Sequence, residues 1–235
     1  CGDRNGFRHT VMPSLRQLGM RPNAVVLTHP DGHHLGGGAA VWEAFPIREA
    51  VMPVKLSRSS SYRSWMANPA KMNMRLAGEV RSMDLPDGAR LEVVHSPDPL
   101  AQQARADDRV AVYRLHWRGW KILFTSDAGT STENQVLEAG ADVSADVIVA
   151  GCHRNDLSLG DAFLHAVAPR AIVFSNPAFP PEEHRSDETV VYWKSRGIEV
   201  IDQCAVGGVT IMVDENGDLR LAGFLRDEPI VLKRR

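Results

Sequence analysis

The sequence predicts an α/β (α+β) fold, a single domain over residues 1–235, and three observations carry the prediction. Apolar runs rich in β-branched residues alternate with stretches of helical spacing in the first and last thirds. The middle third reads as strand pairs separated by turn signals. Polar clusters of His, Asp and Cys follow predicted strands at residues 29–34, at Asp127 and at Cys152-His153.

Composition narrows the class. An apolar fraction of 43% and a charged fraction of 24% are those of an ordinary globular chain, and no apolar run reaches the length of a membrane span. A formal net charge of −2 argues against nucleic-acid binding through a pervasive positive field, while leaving local basic patches open. Three cysteines, Cys1, Cys152 and Cys204, are odd in number and far apart, which argues against a disulfide framework. The chain begins at Cys1 without a methionine, so the expectation is a piece of a longer polypeptide. A lipidated N-terminal cysteine is a minor alternative, because a helix pattern follows within a few residues instead of a flexible spacer.

Taken in order, Val11, Leu15 and Leu18 recur at helical spacing up to Gly19, with Pro13 in the first turn. Val25-Val26-Leu27 begins a buried strand that runs to His29. A short helix carrying Ala39, Ala40, Val41 and Trp42 should stop before Pro46, and Ala50-Val51-Met52 is the next buried strand, completing a β-α-β unit. Residues 55–75 are expected to form a surface helix with its apolar face on the core. Residues 80–85 and 91–95 flank Pro86-Asp87-Gly88, and 110–116 and 120–125 flank Arg118-Gly119, giving two hairpins. A helix should start near residues 130–133. Strands at 147–150, 171–175, 199–201 and 209–213 then alternate with helices around 163–167 and 189–194, and Glu215-Asn216-Gly217-Asp218 joins the final strand pair.

The strand-end clusters carry the chemistry. Thr28-His29-Pro30-Asp31-Gly32-His33-His34-Leu35-Gly36-Gly37 places three histidines and one carboxylate within six positions, 29 to 34. Imidazole and carboxylate are the usual ligands of Zn²⁺ and related ions, and separate strand ends of one sheet can supply them jointly. Asp127, followed by small residues and a helix, is a metal ligand or else the cap of that helix. Cys152 and His153 follow the strand at 147–150 and add a thiol and an imidazole. The candidate metal set is therefore His29, Asp31, His33, His34, Asp127, Cys152 and His153, with Asp127 and His33 closest to the chemistry. His95 ends a strand and is expected to be solvated, while His116, His165 and Cys204 are expected to be structural.

The segment 28–37 resembles the metal motif of the metallo-β-lactamase superfamily, in the variant with Asp at the second ligand position found in ComEC-type DNA-uptake proteins. The resemblance extends along the chain: Cys1-Gly2, Asp107-Asp108-Arg109-Val110, Asp127, the segment 151–158, and His184 all fall where that family carries its signatures. It implies an αββα sandwich lacking its first strand or strands. It also implies one or two divalent ions, Zn or Mn, bridged by Asp127. The expected activity is that of a metal-dependent hydrolase, a phosphodiesterase acting on single-stranded DNA. Its context would be a soluble domain attached to the membrane channel of a bacterial inner-membrane protein.

Departures from the pattern bear on activity. His33 stands where the family has Asp, which exchanges an anion for a neutral imidazole, weakens the case for Mn²⁺ or Mg²⁺ relative to Zn²⁺, and removes a candidate general base. Cys152 replaces a histidine but keeps a donor, and Arg154 replaces a glycine, either contacting phosphate or forming a surface ion pair. The alternatives are a non-catalytic structural or binding domain with a degenerate metal site, and a hydrolase of a small ester, lactone or thioester.

Overall fold

The computed structural model describes residues 2–67, 73–98, 108–152, 156–175 and 186–234. Its chain forms two compact units, one of Cys1–Arg81 with His95–Ala111 and one of Ser82–Val94 with Val112–Arg235.

The first unit opens with helix in three joined pieces: α1 (Arg4–Gly6), a π-helical turn (Phe7–Val11) and α2 (Met12–Gln17). The Asp3 carboxylate caps it by accepting the Gly6 N–H at 2.6 Å. Strands β1 (Ala24–Val26), β2 (Glu49–Met52) and β3 (Asn73–Leu76) form a parallel sheet in that order, with Val25 opposite Ala50 and Ala50 opposite Met74. The predicted β-α-β unit is present, its crossover supplied by α3 (Gly32–Leu35) and α4 (Gly38–Ala44). α5 (Ser60–Met66) lays Tyr62 and Trp65 into a core with Phe7, Leu35, Val41 and Met52. Gly38 is required at the helix crossing, because a Cβ there would stand 2.6 Å from the Trp65 ring.

Two expectations for this unit are corrected. The first strand leaves the ladder after Val26, well before His29; the Leu27 N–H still reaches the Val51 carbonyl at 2.9 Å. Residues 55–75 do not form one helix: α5 is short, and Asn73–Leu76 is a strand, hidden in the sequence because its residues are at most half-buried and give no apolar alternation. Residues 68–72, including Met72, lie outside the described residues.

The second unit is built on a seven-stranded sheet of β4 (Ser82–Asp84), β5 (Arg90–His95), β6 (Val112–Trp117), β7 (Trp120–Ser126), β8 (Val147–Ala150), β9 (Ala171–Phe174) and β10 (Glu199–Asp202). The order is the reverse of the sequence, β10-β9-β8-β7-β6-β5-β4. Both predicted hairpins are present, and the turn joining β6 to β7 has φ of 51° at Arg118 and 87° at Gly119, the positive pair that matches strand twist. From β7 to β10 the pairing is parallel, so the sheet is mixed and not wholly antiparallel in its middle.

These parallel strands bury both faces, which is why each reads as a continuous apolar run. Ile148, Ile172, Phe174 and Val200 face α6 (Thr130–Glu138), α7 (Asp161–Val167) and α8 (Asp187–Ser195), packing with Val136, Phe163, Leu164 and Trp193. Val147, Ala171, Val173 and Ile201 face the opposite way, onto Leu219, Leu221, Ile230 and Leu232 of a second sheet. After the short α9 (Gln203–Val206), that sheet contains β11 (Val209–Val213), β12 (Leu219–Gly223) and β13 (Ile230–Leu232), all antiparallel. The predicted final pair is thus a triplet, because a three-residue strand such as β13 is too short to show a period. The unit is layered helix, sheet, sheet.

Candidate metal centre

In the first unit the chain leaves β1 and turns through Thr28 and Pro30 into α3, with His29 fully buried and its Nδ1 3.3 Å from the Thr28 hydroxyl. Asp31 is the N-cap of α3. Its Oδ1 accepts both the backbone N–H of His34 at 2.9 Å and the His34 ring nitrogen Nδ1 at 2.8 Å. A single carboxylate oxygen therefore starts the helix and fixes the ring. With the proton on Nδ1 directed to Asp31, the lone pair of His34 belongs to Nε2, the tautomer that a metal ligand needs. The His29 and His34 rings stack with centroids 4.3 Å apart and planes 20° apart. Burial alone would push the Asp31 carboxyl up, but the His34 hydrogen bonds, the His34 charge and the His29 charge carry it well below the usual carboxylate range.

Asp31 is thus placed as a cap and orienting group for His34. His33, one residue before it on α3, is exposed, while His34 is half-buried. At Gly36 a Cβ would lie 2.5 Å from the Gly32 carbonyl oxygen and 3.0 Å from the Asp3 backbone, and the Gly37 N–H bonds the Gly2 carbonyl at 2.8 Å, so the turn after α3 sits against the start of the chain.

In the second unit Asp127 follows β7, where the register shifts between Phe124 and Ser126 and Ser126 takes a positive φ of 50°. The Gly151 N–H holds this bend through the Ser126 carbonyl at 2.7 Å. The Asp127 side chain folds back over Gly151 so closely that a Cβ at 151 would be 1.9 Å from Oδ1. Asp127 does not cap the following helix. The N-cap of α6 is Gly129, and the first-turn N–H groups of Thr130 and Ser131 go to the Leu157 carbonyl at 2.9 Å and the Asp156 carboxylate at 3.3 Å. Cys152 is half-buried and packs against the apolar cluster under the helices. His153, Arg154 and His184 lie outside the described residues.

The remaining histidines separate clearly. His116 bonds Glu92 at 2.9 Å beside Arg114, a cross-strand ion-pair network. His165 is exposed on α7. His95 is more buried than expected for a solvated loop residue, and burial lowers its pKa. One residue had no assigned role in the sequence: Arg109 is 7% exposed, and a buried arginine carries no local pattern by which to recognise it.

No family model matches the chain. It is similar to ComE operon protein 3 of Bacillus subtilis (strain 168), 20% identical over 178 residues that cover 70% of this chain and 21% of that protein. It is also similar to Recombination protein 2 of Haemophilus influenzae (strain ATCC 51907 / DSM 11121 / KW20 / Rd), 23% identical over 172 residues, or 73% of this chain and 20% of that one. The chain thus spans about a fifth of the length of these curated relatives. Among solved structures, a CmlA beta-hydroxylase E377D mutant superposes with a TM-score of 0.52 at 12% identity, covering 77% of this chain and 43% of that one. A metal-dependent hydrolase of the beta-lactamase superfamily gives 0.48 at 11% identity, covering 81% and 80%. The chain thus shares the α/β fold of the CmlA beta-hydroxylase and is similar in sequence to segments of these two ComEC-type proteins.

Proposed function

We propose that this chain is a metal-dependent hydrolase that cleaves phosphodiester bonds, with single-stranded DNA as substrate, acting in a DNA-uptake setting. The observation that carries the reading is the Asp31–His34 pair, in which a half-buried carboxylate presents one imidazole nitrogen beside a second, stacked imidazole. A structural N-cap needs only the backbone bond; orienting the ring as well is the arrangement found behind metal-ligating histidines. His29, His34 and Asp127 supply the donor atoms in this reading, and their chemistry, two neutral imidazoles and one carboxylate, suits Zn²⁺ or Mn²⁺. A bound divalent ion supplies Lewis acidity toward the phosphoryl group. The chain's own part is to hold the donors: Asp31 fixes the His34 tautomer, Gly151 leaves room for the Asp127 carboxylate, and burial shields His29 from competing water.

A second reading, a binding domain without catalysis, draws support from His33, which replaces the expected carboxylate and is exposed. Elemental analysis of the purified chain, with cleavage of single-stranded DNA in added Zn²⁺ or Mn²⁺, separates the two. Bound metal that falls in His29→Ala and Asp127→Ala, together with metal-stimulated cleavage, is expected for the hydrolase. Metal-free, inactive protein would sink it. His33→Asp should raise Mn²⁺ affinity or activity, and no change would remove position 33 from the site.

A further inference from the structure

We propose that Arg109 and Arg58 form a phosphate-binding pocket in the first unit, next in the chain's packing to the turn that carries His29 and His34. The cavity is about 120 Å³, room for one tetrahedral oxyanion, and is lined among the described residues by Leu56, Ser57, Arg58 and Arg109, none of them a carboxylate. Arg109 is the unusual member. Its side chain is almost wholly buried, one guanidinium nitrogen donates to the Leu56 carbonyl, and Nε is buried with no hydrogen-bond partner among the described residues. A guanidinium keeps its charge at any working pH, and one buried with a neutral carbonyl as its hydrogen-bond partner among the described residues is left without a counter-charge there. Tyr62, the nearby phenol, does not supply that partner: burial raises its pKa to about 12, so it stays neutral, and its hydroxyl donates to the Val54 carbonyl. The pocket therefore holds a buried fixed cation, a second and exposed cation in Arg58, and the Ser57 hydroxyl. Two guanidinium groups and a hydroxyl suit a multiply charged tetrahedral anion better than a carboxylate, because three or more oxygens can be engaged at once.

The placement connects this pocket to the histidine turn through backbone. The Ala111 N–H, two residues beyond Arg109, bonds the Thr28 carbonyl at 3.0 Å, immediately before His29. On the other side Ser61, at the start of α5, packs on Gly32, where a Cβ would stand 3.5 Å from the Ser61 hydroxyl. The loop bearing Leu56, Ser57 and Arg58 is thus held between these two contacts with the turn. In the hydrolase reading, on which this role rests, the pocket grips a phosphate of the DNA backbone or a phosphate released from it.

The test is calorimetric titration of the EDTA-treated chain with inorganic phosphate, with the dinucleotide d(TpT), and with acetate, for the wild type, Arg58→Ala and Arg109→Lys. Saturable phosphate binding is expected, weakened about tenfold or more in Arg58→Ala. Arg109→Lys keeps the charge but loses the fork, and should weaken binding at least as much. Binding of d(TpT) assigns the pocket to the backbone of the substrate, and binding of phosphate alone assigns it to a released phosphate. Absent binding in the wild type, wild-type affinity retained in both variants, or acetate binding as tight as phosphate would overturn the proposal. If circular dichroism shows Arg109→Lys unfolded, Arg58→Ala decides. Because the titration is free of metal, its failure is distinct from failure of the metal centre, which is read from the metal content of the same Arg58→Ala protein.

Discussion

At the scale of single residues, Gly151 shows how a donor is held by the absence of an atom. The carboxylate of Asp127 occupies the space a Cβ would take, so Gly151→Ala must displace either the strand end or the carboxylate. Overpacking of this kind costs about 1–3 kcal/mol, and here it should also lower bound metal. Urea unfolding with elemental analysis checks both; a variant as stable as the wild type with unchanged metal would show that the close contact is not maintained in solution. The candidate donors His29, His34 and Asp127 stand out in the sequence because each follows a strand-like run. The part Asp31 plays does not. Spacing shows a carboxylate in the cluster, and the two bonds it accepts from His34 add that it caps α3 and orients that ring. Arg109 was invisible for a related reason: burial of a charged side chain depends on what surrounds it, and spacing along the chain says nothing of that.

At the scale of elements, legibility followed burial on two faces. Strands β8 and β9 stand out because every residue in them is apolar and packed on one side or the other, whereas β3 and β13 are short and only partly covered. Pairing partners were less accessible, since nothing in β7 announces that it pairs antiparallel with β6 and parallel with β8. One network crosses these strands on the surface of the second unit. Glu92 on β5 accepts from Arg114 at 2.8 Å and meets His116 at 2.9 Å, while Arg114 also reaches Asp142 at 3.0 Å. Partial burial would raise the Glu92 pKa, but the His116 bond and then the Arg114 bond and charge lower it below the ordinary value of 4.5. A carboxylate with a depressed folded pKa contributes stability above its unfolded pKa and loses it as pH falls through the folded one. Wild type should therefore exceed Glu92→Gln in stability at pH 7, and the gap should close below about pH 4.5. Urea midpoints across that range test the sign; the size stays small because a third of the Glu92 side chain is in water.

At the scale of the whole molecule, a net charge of −2 means that no broad field gathers a polyanion. Any hold on DNA must come from a few local contacts, of which Arg58 and Arg109 are the ones proposed. For a single strand each neutralised phosphate steepens the salt dependence by about 0.7 in log–log slope, so a shallow slope of about −0.7, that of one gripped phosphate, is expected. Fluorescence anisotropy of a labelled oligonucleotide over a range of KCl concentrations measures it, and a slope several times steeper would mean that a larger basic surface is engaged.

The double-sided sheet of the second unit also has a consequence for the order in which the protein comes into being. Its Val147, Ala171, Val173 and Ile201 side chains are covered in large part by Leu219, Leu221, Ile230 and Leu232. A ribosome delivers residues in sequence, at about 5–20 per second, so that face emerges and waits for seconds before the strands that close it exist. During that interval the nascent chain presents an apolar plane to the cell, and a translational pause within residues 203–232 would lengthen its exposure to chaperones and to other chains alike.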